Sequence, residues 1–156
     1  MNTEAEAKIT IQAPIERVWQ VLLDTNNYKK WNPFVVNAEA EGDVTVAGTK
    51  MKLYVKWRND KGASSNEIIT DTKPPYTDDA GIKRAHWSYR FTGWLHTLGL
   101  VHAVRYHYLE ELKDGSTAYR THELFTGLLK NFIPLADVQN GFERQTEALK
   151  WEVERK

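Results

Sequence analysis

No cysteine occurs among the 156 residues. Disulfides, thiolate metal sites, a cysteine nucleophile and thiol redox chemistry are excluded with it. Neither charge is in excess, since Lys plus Arg and Asp plus Glu both total 21. A chain without a basic surplus or a long Lys/Arg block suits a phosphate backbone poorly, so nucleic acid is not an expected partner. No apolar run approaches the roughly 18 residues that span a bilayer. The opening stretch from Met1 to Lys8 is polar and acidic, unlike a secretion signal. The expectation is a cytoplasmic protein that does not insert into membranes. Also missing are Gly-x-Ser-x-Gly, a phosphate-cradling glycine loop, a dinucleotide fingerprint, His-x-His and His-Glu-x-x-His. No metal, no nucleotide or other cofactor, and no triad hydrolase is therefore expected.

What is present is aromatic. Six Trp, seven Tyr and five Phe bring the aromatic share to 12%, within a 41% hydrophobic total. Such rings serve equally as core filling and as flat walls for an apolar ligand. Length, composition and the lack of a linker or repeat predict a single domain over residues 1–156.

Periodicity orders the elements. Lys8–Gln12 alternates as a strand, and Ala13-Pro14 opens a helix whose Ile15, Val18, Trp19, Leu22 and Leu23 form one apolar stripe. A second short helix is predicted over Asn26–Trp31, ended by Pro33. Turn signals then separate strands. Lys50–Trp57 puts Met51, Leu53, Val55 and Trp57 on one face, and Lys83–Phe91 puts Ala85, Trp87, Tyr89 and Phe91 together. Glu67–Lys73 is a weaker strand that Pro74-Pro75 should stop, with Ser64 and Ser65 in a hairpin loop before it. Val101–Leu112 and Ser116–Phe125 form a final pair. From about Leu135 to Glu154 a long helix carries Leu135, Val138, Phe142, Leu149 and Val153, interrupted by Gln145 and Thr146. A sheet with one dry face followed by such a helix implies that the two pack on each other.

The last hairpin depends on its loop. A three-residue Lys113-Asp114-Gly115 loop, with Gly115 in the left-handed conformation, sets Leu109 opposite Tyr119, His107 opposite Thr121 and Arg105 opposite Glu123. A two-residue Asp-Gly loop would instead oppose Arg105 to Leu124 and His107 to His122. The first register pairs opposite charges and is preferred. His102 and His107 then lie on opposite strand faces.

Three segments resemble the START-like superfamily of polyketide cyclases/dehydrases, lipid-transport proteins and pollen-allergen-type carriers. They are Ile11-Gln12-Ala13-Pro14-Ile15-Glu16-Arg17-Val18-Trp19, then Tyr28-Lys29-Lys30-Trp31-Asn32-Pro33-Phe34, and Glu123-Leu124-Phe125-Thr126-Gly127-Leu128-Leu129. The resemblance implies an α+β helix-grip fold, in which a curved antiparallel sheet of about seven strands wraps a long C-terminal helix, with two short helices after the first strand. It also implies a cavity between sheet and helix, and a small hydrophobic or amphipathic ligand as partner.

On that basis the expected wall has four parts. Trp31 and Phe34 come from the second motif. Met51, Leu53, Val55, Trp57, Trp87 and Tyr89 come from the middle strands. Arg105, His107, Tyr119, Thr121 and Glu123 come from the last hairpin, and Phe142 and Leu149 of the long helix close the space. Arg105 and Glu123 read either as a ligand-orienting pair or as a structural ion pair, and His107 as an acid/base or a hydrogen-bonded wall residue. Trp94 is placed where a lid would lie. The expected role is that of a carrier or sensor. The alternatives are a cyclase, aromatase or dehydratase-like enzyme using Arg105, His107, Tyr119 and Glu123, or a protein-interaction module. No feature of the sequence sets an oligomeric state.

Overall fold

Residues 3–155 are described by a computed structural model. Seven strands, β1 (Glu4–Ile11), β2 (Val35–Ala40), β3 (Lys50–Lys56), β4 (Gly62–Thr77), β5 (Lys83–Phe91), β6 (His102–Glu111) and β7 (Thr117–Thr126), form one antiparallel sheet. Their order is β1-β7-β6-β5-β4-β3-β2, so the chain closes back on its first strand. Helices α1 (Ile15–Leu23) and α2 (Tyr28–Trp31) follow β1, with a 3-10 turn at Thr25–Asn27 between them. A four-residue helix α3 (Trp94–Thr97) joins β5 to β6, and α4 (Leu135–Glu154) ends the fold. This is the helix-grip arrangement.

Local sequence explains the joints. Pro14 caps α1 from an extended conformation, its carbonyl accepting from the Arg17 and Val18 amides. Ile15, Val18 and Leu22 of the α1 stripe are fully buried, each stabilising the fold by about 1.5–3 kcal/mol. Helix α2 stops where Asn32 turns extended ahead of Pro33. The buried Asn32 side chain then accepts from the amides of Phe34 (3.0 Å) and Val35 (2.9 Å), which aims Phe34 inward. Arg144 of α4 donates to the carbonyls of Pro33 (2.9 Å) and Lys56 (2.8 Å), tying the helix to that turn and to the end of β3.

The last hairpin takes the three-residue register. Gly115 has φ 85°, and the pairs are Leu109↔Tyr119, His107↔Thr121 and Arg105↔Glu123. Two expectations fail in β4. The strand includes Ser64 and Ser65, paired with Tyr54 and Leu53 rather than lying in a loop. It also continues through Pro74-Pro75 to Thr77, because the ladder shifts register between Lys73 and Tyr76 and so does not need the prolines' missing N–H groups.

Helix α4 packs on β1 and α1, while α1 itself lies against β4, β5 and β6. Leu149 and Val153 go into that packing, and Phe142 lies further along the same stripe. The concave face is thereby divided into a filled end under α1 and an open end beyond it. Among the described residues no helix is long and apolar enough to cross a membrane.

Candidate functional site

The open end is a cavity of about 260 Å³. Its apolar wall is made by Phe34 and Val35 of β2 and its turn, Leu53, Val55 and Trp57 of the β3 region, Phe91 of β5, Ala103 of β6, Phe125 of β7, and Val138 and Phe142 of α4. Leu95, Val101, Ile133 and Pro134 complete it from two connecting segments. Phe34 stands edge-on to Phe142, with ring centroids 6.0 Å apart, and lies 5.6 Å from Trp57. Gly141 makes this possible, since a Cβ there would fall 2.4 Å from the Phe34 ring.

Charged groups and a phenol gather at one part of the wall: Glu67 from β4, Tyr89 from β5, Arg105 from β6 and Glu123 from β7, while Ser64 and Ser65 of β4 add two hydroxyls to the lining. The guanidinium of Arg105 is committed to the scaffold. It donates to Thr121 Oγ1 (3.1 Å), Gln145 Oε1 (2.9 Å) and Tyr89 Oη (3.4 Å), and lies 4.0 Å from the Phe142 ring centre. Behind it, His107 Nδ1 is 2.6 Å from Tyr119 Oη and Nε2 is 3.2 Å from Tyr89 Oη. Arg105 can only donate, so Tyr89 Oη accepts from it, and the neutral imidazole links the two phenols by giving its one N–H to one hydroxyl and accepting from the other. Burial, reinforced by the Arg105 charge, holds the imidazole well below its ordinary pKa, so it stays neutral.

The two carboxyls behave differently. Glu67 is buried and, among the described residues, accepts only from Ser65 Oγ, at 2.9 Å. Burial, with Glu123 close by, pushes its pKa up to about 8. Glu123 keeps some accessible surface, which faces the cavity, and burial raises its pKa to about 7 against the pull of Arg105. Although Arg105 and Glu123 are register partners, no hydrogen bond or ion pair joins them among the described residues. The expected pair is replaced by an Arg105–Gln145 contact. At neutral pH the cavity therefore holds one fixed cation and two carboxyls near their titration points.

The structure brings Phe34, Leu53, Val55, Trp57, Tyr89, Arg105, Glu123 and Phe142 to one wall and leaves seven other expected residues off it. His107, Tyr119 and Thr121 share the inward face as their register requires, but they lie in the filled end, wholly enclosed. Trp87 is there too, stacked on His107 and donating its indole N–H to the Val44 carbonyl at 2.9 Å. Met51 and Leu149 are core residues. Trp31 lies instead in an outer groove between α2 and α4, with Pro33, Arg144 and Trp151. Trp94 is 68% exposed and does not line the cavity, whereas its neighbour Leu95 does.

Glu67 and Gln145 were missed, and both left a trace. Glu67 alternates with the buried Ile69, which puts it on the dry face by parity. Gln145 sits between Phe142 and Leu149 on the dry stripe of α4, where a polar residue needs a buried partner. A second departure is on the outer face, where Glu4, Glu6 and His122 come within 4.8 Å of one another. Glu6 is engaged there by Arg120 at 2.7 Å and Lys8 at 3.3 Å.

A curated relative, oxopyrrolidines biosynthesis cluster protein O of Penicillium oxalicum, is 29% identical over 92 residues, covering 50% of this chain and 45% of that protein. The match thus spans less than half of the relative's length. Among solved structures, the Zhui aromatase/cyclase of Streptomyces sp. R1128 superposes with a TM-score of 0.71 at 18% identity, covering 97% of this chain and 93% of that one. The major latex-like protein 151 of Panax ginseng gives a TM-score of 0.70 at 10% identity, covering 97% of each chain. At these identities the likeness establishes the shared fold. The family described as polyketide cyclase / dehydrase and lipid transport matches residues 2–154, and the chain belongs to it.

Proposed function

We propose that the protein is a carrier or sensor that encloses a compact hydrophobic or amphipathic molecule bearing one polar end. The observation that carries this reading is the asymmetry of the cavity. Most of its wall is aliphatic or aromatic, while Glu67, Tyr89, Arg105 and Glu123 converge on one part of it. At about 260 Å³ the space lies just below the roughly 300–1,000 Å³ of drug-sized pockets, which suits a ligand of a few rings or a short chain. With Arg105 hydrogen-bonded to Thr121, Tyr89 and Gln145, the carboxyls of Glu67 and Glu123 are the groups best placed to meet a ligand hydroxyl or carbonyl.

A cyclase or aromatase-like reaction is the second reading. It is favoured by two carboxyls with pKa values of about 8 and about 7, close to where an acid and a base exchange protons most readily, and by the family itself. In it Glu67 and Glu123 would move protons at the polar end, while His107 and Tyr119 would act only through Tyr89.

Titration with an apolar fluorescent probe tests the cavity. Stoichiometric binding is expected, and Ala103→Phe, which fills the wall, should weaken it by about tenfold or more. Undiminished affinity in a folded Ala103→Phe protein would remove the cavity as the site. Ligand recovered unchanged after incubation separates carrier from enzyme. A product that disappears in Glu67→Gln and Glu123→Gln would favour the second reading.

A further inference from the structure

Two connecting segments close the cavity at the end away from α1: residues 92–101 between β5 and β6, and residues 126–134 between β7 and α4. They are joined to each other. The amides of Leu128 and Leu129 donate to the carbonyls of Gly99 (3.3 Å) and Leu100 (2.8 Å). At Gly127, which has φ 104°, a Cβ would fall 2.6 Å from the Leu100 carbonyl oxygen, so the contact admits only glycine. Each segment has two sides. Leu95 and Val101 of the first, and Ile133 and Pro134 of the second, face the cavity. Trp94 (68%), Leu98 (63%), Leu128 (79%) and Phe132 (81%) point into solvent.

Exposed apolar side chains scattered singly need no explanation, but these four share one joined lip. Its charge is equally one-sided. In a chain with 21 Asp and Glu, residues 92–101 and 126–134 contain none, and Lys130 is their one permanently charged side chain. Trp, Phe and Leu tips on short loops, a lysine to reach the headgroups and no carboxylate to repel them are what interfacial attachment to a lipid surface requires.

We propose that this lip docks on an anionic lipid bilayer, so that the segments walling the cavity touch the phase from which an apolar ligand is taken or to which it is delivered. The exchange rests on the reading of the cavity as a ligand site; the docking does not. Only the side-chain tips enter the interface, consistent with the lack of any spanning helix among the described residues.

Co-sedimentation of the full chain with phosphatidylcholine vesicles, with and without phosphatidylglycerol, tests this. Binding is expected with phosphatidylglycerol present and should fall with added salt. A Trp94→Ser/Phe132→Ser double variant should lose about tenfold or more in vesicle affinity. Lys130→Glu should lose several-fold on anionic vesicles only. All three side chains lie outside the core, so thermal unfolding and probe binding in solution should match the parent. Absence of sedimentation with anionic vesicles, or equal sedimentation of the double variant, overturns the proposal. So does a concentration-dependent dimer that the double variant abolishes, which would identify a second copy as the occupant. If the soluble probe fails to bind the parent while vesicles still do, the cavity reading falls and the docking surface stands.

Discussion

Replacing Glu67 by Gln should make the protein more stable at neutral pH, not less. In the unfolded chain this carboxyl titrates near 4.5, whereas in the folded protein burial raises it to about 8. Folding at pH 7 must then protonate a group that water would leave ionised. At about 1.4 kcal/mol per pH unit over the interval from 4.5 to 7, that costs about 3 kcal/mol. The sign follows from the raised value. The stability associated with Glu67 is complete below about pH 4.5, is lost progressively as pH rises, and is gone above about pH 8. Gln has the same shape, cannot ionise, and still offers Oε1 to the Ser65 hydroxyl. Urea unfolding of both proteins from about pH 5 to about pH 9 should therefore give curves that converge in acid and separate by about 3 kcal/mol near neutrality. The comparison must be between variants, because His107 acts in the opposite sense. Its folded pKa is depressed, so its contribution is complete above about pH 6.5 and is lost as pH falls below that. Parallel curves, or a Gln variant that is less stable at pH 7, would refute the assignment of Glu67 as a buried acid facing the cavity.

Two further substitutions probe the wall. Arg105→Met and Gln145→Leu should each destabilise the fold by about 1–3 kcal/mol, with a coupling of about 1 kcal/mol or more in a double-mutant cycle. The Arg105/Glu123 cycle should give a smaller coupling, because these two side chains are not hydrogen-bonded; equal couplings in chemical denaturation would show that Gln145 is not the partner of Arg105. Gly141→Ala should place a methyl group against the Phe34 ring, 2.4 Å away, and that ring borders the cavity. Overpacking of this kind costs about 1–3 kcal/mol, against about 1 kcal/mol regained in helix propensity. Probe affinity should drop more than melting temperature, and a variant with unaltered probe affinity would show that Phe34 does not border the ligand space.

The elements that repeat with a clear period were legible in the chain. The α1 stripe, the span of α4 and the alternation in β3 and β5 depend on contacts every second, third or fourth residue, which composition and spacing encode directly. The hairpin register was equally readable, because Gly115 has a positive φ at the one place where a three-residue loop needs it. Strand β4 was misread at both ends. Its start is a polar Gly62–Asn66 run without an apolar alternation to mark it, although it pairs regularly with β3, and its far end passes a bulge at Lys73/Tyr76 that is set by the partner strand.

Which inward residues meet a ligand space was a different question. His107, Tyr119 and Thr121 share a strand face with Arg105 and Glu123, as alternation requires, yet the first three are enclosed in the packed interior while the others border the cavity. The partner of Arg105 was also decided in three dimensions. Strand neighbours offered Glu123, but α4 presents Gln145 at 2.9 Å, and a guanidinium is satisfied there without a second buried charge. By itself the sequence determined α1, α4, the faces of the strands and the hairpin register, because those follow from local periodicity and short-range turn geometry, while three short segments carried the resemblance to the family. Only the tertiary structure decided where the core stops and the cavity begins, because that boundary depends on how far α1 and α4 extend over the sheet, and no repeat along the chain records it.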